Sequence, residues 1–233
     1  MSAADQIQAL EKKVEQLTHE LGILQDVNAI RSLQYAYGYY IDKCLYRETV
    51  DLFAEEGEVC FMGGRFKGKE SVKRLYIGRF QTNFTAGRNG PVHGFLLDHP
   101  QIQAIIDVAP DRRTAKARAR SVMQAGSHES RHQGEGIPRQ WWEGGIYENQ
   151  YVRENGIWKI KVLNYRPVWH GTFEKGWAHM PAQAYKFYSE TYPKDPVGPD
   201  EIITDPKPVL WPDTDVVPFH YPHPVTGKWV KPE

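Results

Sequence analysis

Four segments beyond residue 100, 101–108, 114–125, 140–152 and 157–166, constrain the fold most. Ile102, Ala104, Ile106 and Val108 alternate with other residues, and so do Trp158, Ile160 and Val162, the period-two pattern of half-buried strands. Pro110-Asp111 separates the first pair and Glu154-Asn155-Gly156 the last, both with turn chemistry. A further strand is expected over 91–98. Close antiparallel neighbours therefore build a meander, and what precedes it is helical. Ile30, Leu33, Tyr37, Ile41 and Cys44 make one apolar stripe at helical spacing. Arg47 to Ala54 is read as a second helix, stopped by Glu55-Glu56-Gly57, followed by a strand over Glu58–Met62. Lys69–Phe80 reads as a helix with Val72, Leu75, Tyr76 and Phe80 on one side. Helices first and a meander afterwards predict an α+β fold, with helices against one face of a curved sheet.

Two extensions flank this domain of 30–170. Over residues 1–29, Ile7, Leu10, Val14, Leu17, Leu21 and Leu24 repeat with spacings of 3 and 4, the heptad pattern of an assembly helix. The other runs from 171 to 233 and holds ten of the chain's 16 prolines after residue 192, yet Trp211, Phe219, Tyr221 and Trp229 punctuate it. Disordered segments are poor in aromatics, so this tail is expected to lie extended across its own domain or a neighbour.

The 29 basic and 29 acidic residues cancel, so neither nucleic acid nor an anionic membrane is an expected partner. The start, MSAADQIQALEKK, has no apolar signal core, and the cytoplasm is the expected location. Cys44 and Cys60 cannot form a disulfide framework or a conventional zinc site. No phosphate-binding glycine loop and no nucleophile elbow is present. Ser127 to His132 offers two histidines four apart, but Gly126, Gly134 and Gly136 around them indicate a polar loop. Neither a metal nor another cofactor is expected.

The candidate chemistry lies in YAYGYYID, residues 35–42, and in His93. Strand alternation puts His93 with Phe95 and Leu97 on one face, where imidazole could shuttle a proton near neutral pH or simply fill the core. Tyr37 and Asp42 are five apart, roughly 140° on a continuous helix. They reach one pocket only if the helix ends or bends near Asp42, for which Gly38 offers a place; otherwise Tyr35, Tyr39 and Asp42 form the polar group. Tyr40, Phe61, Trp141, Trp142, Tyr147 and Trp169 are expected as aromatic walls. Arg120, with Arg118 and Gln124 on its strand face, would bind a phenolate or face solvent.

Tyr37…Asp42 followed by Leu52-Phe53-Ala54-Glu55-Glu56, together with Tyr151-Val152-Arg153-Glu154-Asn155-Gly156-Ile157-Trp158-Lys159-Ile160, resembles the SnoaL-like branch of the nuclear-transport-factor-2-like superfamily over about residues 25–170. The resemblance implies a cone: a bent sheet closed by helices around one deep pocket. Tyr37 falls where ketosteroid isomerases hold an oxyanion-binding tyrosine, but about Phe61 occupies the place of their general base, which argues against that isomerisation. The match is better to scytalone dehydratases. It implies a catalytic Asp42 and His93, with Gln124 in place of a second histidine, Tyr147 in place of an asparagine and Ile41 in place of a tyrosine. In size, tail and aromatic content the chain also looks similar to the γ-formaldehyde lyases of lignin-dimer catabolism. The implied function is a cofactor-independent lyase on a phenolic aromatic dimer, releasing formaldehyde to give a stilbene, in a homo-oligomer. Dehydration of an aromatic or polyketide-like alcohol and non-catalytic binding of a hydrophobic ligand are the alternatives. A ring-hydroxylating oxygenase small subunit is disfavoured by the long tail and the retained Asp/His pair.

Overall fold

Alternation along the meander sets the sheet's two faces. The computed structural model describes residues 2–132, 138–181, 187–203 and 210–231. In β5 (Thr114–Ser127) Ala115, Ala117, Ala119 and Ser121 are buried while Arg120 between them is exposed. The inner face belongs to the odd-numbered residues, as a strand's two-residue period requires. β5 pairs antiparallel with β4 (Gln101–Val108), β3 (Phe95–Asp98) and β6 (Gln140–Glu154), and β6 pairs with β7 (Ile157–Thr172). β7 then takes β1 (Phe53–Phe61) as a parallel neighbour, and β2 (Gly64–Lys67) and β8 (Glu201–Ile202) extend that edge. The α+β class and the open, curved, mostly antiparallel sheet agree with the sequence reading.

The helices lie on the inner face. α1 runs from Ala3 to Asp42, started by a capping box between Ser2 and Asp5, which satisfies amide donors that no helix can pair internally. Its residues Ser2 to Leu21 are all exposed; the first buried one is Gly22. From there α1 is anchored through polar groups. Asp26 accepts from Arg112 Nε at 2.6 Å and from the Trp158 indole at 2.9 Å. Further along, the Gln34 side chain donates to Gln101 at 2.7 Å, and accepts from Asn149 at 2.8 Å and from the Tyr151 hydroxyl. Buried amides hold stability only when paired this completely.

The helix stops at Asp42. Cys44 takes a left-handed backbone conformation (φ 54°), and the Leu45 amide closes back on the Tyr40 carbonyl at 2.9 Å. The second helix, α2, covers Tyr46–Asp51 and is shorter than the 47–54 expected. Phe53 and Ala54 both belong to β1 and are both buried, because the register against β7 shifts between Phe53 and Glu58. Gly57 therefore sits inside a bulged strand and does not terminate a helix. The Lys69–Phe80 helix is composite: α3 (Lys69–Lys73), a π-helical stretch (Arg74–Gln81) and α4 (Thr82–Thr85). Its wider turn brings Leu75, Tyr76 and Phe80 onto one cavity; π-turns recur where side chains must be re-aimed. Among the described residues no helix is long and apolar enough to cross a membrane.

The C-terminal segment lies on its own domain. Asp195 and Asp200 pair with Arg79 and Arg74 of the π-helical stretch. Arg118 on the outer sheet face pairs with Glu148, donates to the carbonyls of Val217 (2.9 Å) and Pro218 (2.7 Å), and lies 4.5 Å from the Phe219 ring centroid.

Candidate active site

Inside the cone lies a cavity of about 260 Å³, near the roughly 300 Å³ lower end of small-molecule sites. Its walls are aromatic and aliphatic. Tyr37 and Ile41 come from α1, Phe61 from β1, Tyr76 and Phe80 from the π-helical stretch, Phe95 and Leu97 from β3, and Trp141 and Tyr147 from β6. Few polar groups reach it, which is the composition that makes each of them strong.

The first is His99. Its Nδ1–H donates to Asp42 Oδ1, and its backbone amide donates to the same oxygen at 3.1 Å. The His99 carbonyl in turn accepts from Gln101 Nε2 at 3.0 Å, and Gln101 belongs to the buried amide network that begins at Gln34. The imidazole is thus held at Nδ1, and its backbone at both the amide and the carbonyl. With Nδ1 committed to a carboxylate, Nε2 is the nitrogen left to take or give a proton. His99 lines the cavity and is 6% exposed.

The second group is a set of phenols. The Tyr37 and Tyr76 hydroxyls are 3.0 Å apart, and the Tyr147 ring meets Tyr37 edge-on at 5.9 Å. Burial, and to a smaller degree the Asp42 charge, push Tyr37 up to about 12, even though Tyr76 and Tyr147 hydrogen-bond it. Burial also raises Tyr76 and Tyr147 well above the ordinary phenol. These hydroxyls therefore stay protonated and serve as donors. In a spectrophotometric titration the Tyr37 phenolate is expected to appear around pH 12, with Tyr76 and Tyr147 also ionising above the ordinary phenol range, and Tyr37→Phe should leave the amplitude in that ordinary range, near pH 10, unchanged.

The third group faces from β6 and β7. Buried Glu143 accepts from the Tyr165 hydroxyl at 2.6 Å. Gly145 makes this possible, since a Cβ there would sit 2.4 Å from the Tyr165 ring. His170 also lines the cavity. Burial lowers its pKa, and its Nδ1 has no partner among the described residues, so it is a neutral imidazole facing a ligand's space.

The sequence-derived residues divide. Tyr37, Phe61, Trp141 and Tyr147 line the cavity, and Asp42 reaches it through His99. His93 does not face Asp42: it is exposed, and its Nε2 lies 3.0 Å from Ser130 Oγ. The expected strand over 91–98 starts only at Phe95, because Gly94 turns the chain at φ 73°, so alternation does not carry back to His93. It carries forward: Phe95, Leu97 and His99 all line the cavity. Arg120 and Gln124 stand on the outer face, opposite Ile146 and Trp142 in the register. Trp142 packs there against Phe173, with centroids 6.3 Å apart. Tyr40 is half-buried and does not line the cavity. Trp169 lies across Gly144, since a bulge between Gly144 and Gly145 shifts β7 by one residue and turns His170 inward instead.

A model of the SnoaL-like domain matches residues 22–164. Among solved structures, a scytalone dehydratase candidate from Novosphingobium aromaticivorans is 19% identical, covering 72% of this chain and 98% of that one, with TM-score 0.51. The type-3 hexachlorocyclohexane dehydrochlorinase LinA from Novosphingobium barchaimii is 17% identical, covering 70% and 99%, with TM-score 0.52. The Kfla4162 protein from Kribbella flavida is 12% identical, covering 63% and 93%, with TM-score 0.51. At these identities the likeness is one of fold. No curated protein matches the sequence.

Proposed function

This chain belongs to the SnoaL-like domain family, and we propose that its cavity catalyses a cofactor-independent elimination on a phenolic aromatic compound, with loss of formaldehyde from a hydroxymethyl side chain. The observation that carries the reading is the Asp42–His99 pair, a buried imidazole held in one tautomer at the wall of an aromatic cavity. Such a pair is suited to moving protons, which binding of an apolar ligand does not require. The printed activity of LinA, a dehydrochlorinase, is an elimination as well, and supports the class of reaction.

A phenolic diarylpropane diol fits the cavity's chemistry. As His170 takes the phenol proton, electrons pushed through the ring expel the benzylic hydroxyl, which leaves as water after accepting a proton from a buried tyrosine. The product is a quinone methide. His99 Nε2 then removes the proton of the primary hydroxyl; the carbon–carbon bond breaks to release formaldehyde, and its electrons form the alkene and restore the aromatic ring. The proton held by His99 passes to the phenolate, and the tyrosine is restored by the phenol proton that His170 took. Water, formaldehyde and a stilbene balance the diol. His170 accepts a hydrogen bond from the phenol, and Tyr37 donates to oxygen charge.

The test is a formaldehyde assay on purified protein with phenolic diarylpropane diols, read together with stilbene absorbance. Both products together support the proposal. The chromophore without formaldehyde moves the activity to dehydration, and no turnover with measurable ligand binding moves the cavity to a binding role.

A further inference from the structure

Six apolar side chains along α1, Ile7, Leu10, Val14, Leu17, Leu21 and Leu24, are between 53% and 67% exposed. The stripe is about 26 Å long at roughly 1.5 Å per residue. Exposure of every residue from Ser2 to Leu21 means that this half of the helix has left its own domain. A free helix of that length is marginal in water, although here the buried half of α1 supplies its nucleus.

The domain holds α1 by the other side. In a heptad counted from Ile7 as position a, the six stripe residues occupy a and d. The buried Gly22, Asp26 and Ile30 occupy b, f and c, across the helix from the seam. Leu21 and Leu24 therefore remain open even where α1 begins to lie on the sheet, and no described residue of the domain covers them.

We propose that this seam closes on the same seam of a second copy of the chain, with the two helices antiparallel about a two-fold axis. The spacing is self-complementary in that direction: Ile7 layers against Leu24 of the second copy, Leu10 against Leu21, and Val14 against Leu17, each occurring twice. Charge selects the direction. Antiparallel packing sets Lys13 beside Glu20 of the second copy, twice by symmetry. Parallel packing would set Lys13 beside Thr18, Glu20 beside Gln25 and Gln6 beside Glu11, with no opposite charges joined. An isologous contact of this kind closes at two copies and leaves no free seam. If the domains also associate through another face, the helix pair doubles that assembly.

Two measurements on the full chain test this. In sedimentation equilibrium the double variant Leu10→Lys/Leu17→Lys should show half the wild-type mass; an unchanged mass overturns the proposal. Val14→Cys and Leu17→Cys variants, mixed and allowed to exchange before mild oxidation, should form a mixed disulfide dimer, while neither forms one alone. The native Cys44 and Cys60 are buried and do not confuse the readout. Self-linking of Val14→Cys would establish parallel helices and overturn the direction, and no linking in any mixture would overturn the contact itself.

Discussion

Asp42→Asn and His99→Gln should each lower turnover about a thousandfold, within the range that one positioned acid–base group supplies, while His93→Ala should keep it within about twofold. The asymmetry follows from placement. His99 reaches the cavity with Nδ1 bound to Asp42, whereas His93 is exposed beside Ser130. Asp42→Asn keeps the size of the side chain but removes the charge that stabilises the imidazolium after proton transfer. It can also present an N–H to Nδ1, which would move the ring proton to Nε2 and silence the base. The double variant Asp42→Asn/His99→Gln should then be little worse than either single one, as groups acting as one unit are non-additive. The assay is steady-state kcat, with thermal unfolding confirming that each variant folds. Equal losses in His93→Ala and His99→Gln would contradict the placement.

Asp26→Ala should cost about 3 kcal/mol of folding stability, the order found when one partner of a buried ion pair is removed. Asp26 is 3% exposed and meets Arg112, Trp158 and, at 3.4 Å, Arg153, so its loss strands an indole N–H and two guanidinium groups at the root of α1. Burial raises the carboxyl pKa, but the hydrogen bonds from Arg112 and Trp158 and the charges of Arg112 and Arg153 outweigh it and hold the pKa below the ordinary value. A carboxylate whose folded pKa is depressed contributes stability that is complete above the unfolded value, about 3.9, and is lost as pH falls through the folded one. Wild-type stability should therefore fall on acidification below about pH 4, and Asp26→Asn should be less stable at neutrality but flatter across that window. Urea unfolding at several pH values measures both. A variant with wild-type stability at pH 7 would remove Asp26 from the anchor.

The class of fold was legible because the meander announces itself locally: alternation defines the strands, and Pro110-Asp111 and Glu154-Asn155-Gly156 define the turns. The short strands β2 and β8 left no such signal, since pairs of two to four residues are fixed by tertiary contact. At the site, register hides the residues from a sequence pattern. Alternation places Phe95 and Leu97 inward, but Gly94 breaks it before His93, and the same parity continued forwards gives His99. Trp169 was lost to His170 through the bulge at Gly144 and Gly145, which one strand's pattern cannot reveal. Arg120 and Gln124 share the outer face of β5, opposite the alanines that the same alternation buries. Tyr37 and Asp42 do serve one region, because the helix ends at Asp42 as that reading required. Glu143 and Tyr165 carried no sequence signal beyond odd positions on long strands.

The most direct test of the account is a crystal structure of the protein with a diarylpropane diol whose phenol is methylated, so that no quinone methide can form and the ligand stays intact. The account predicts the aromatic rings between Phe61, Tyr147 and Trp141, with the primary hydroxyl about 2.6–3.2 Å from His99 Nε2, the reach of a general base. A ligand seated with that hydroxyl away from His99, or bound outside the cavity, would contradict it.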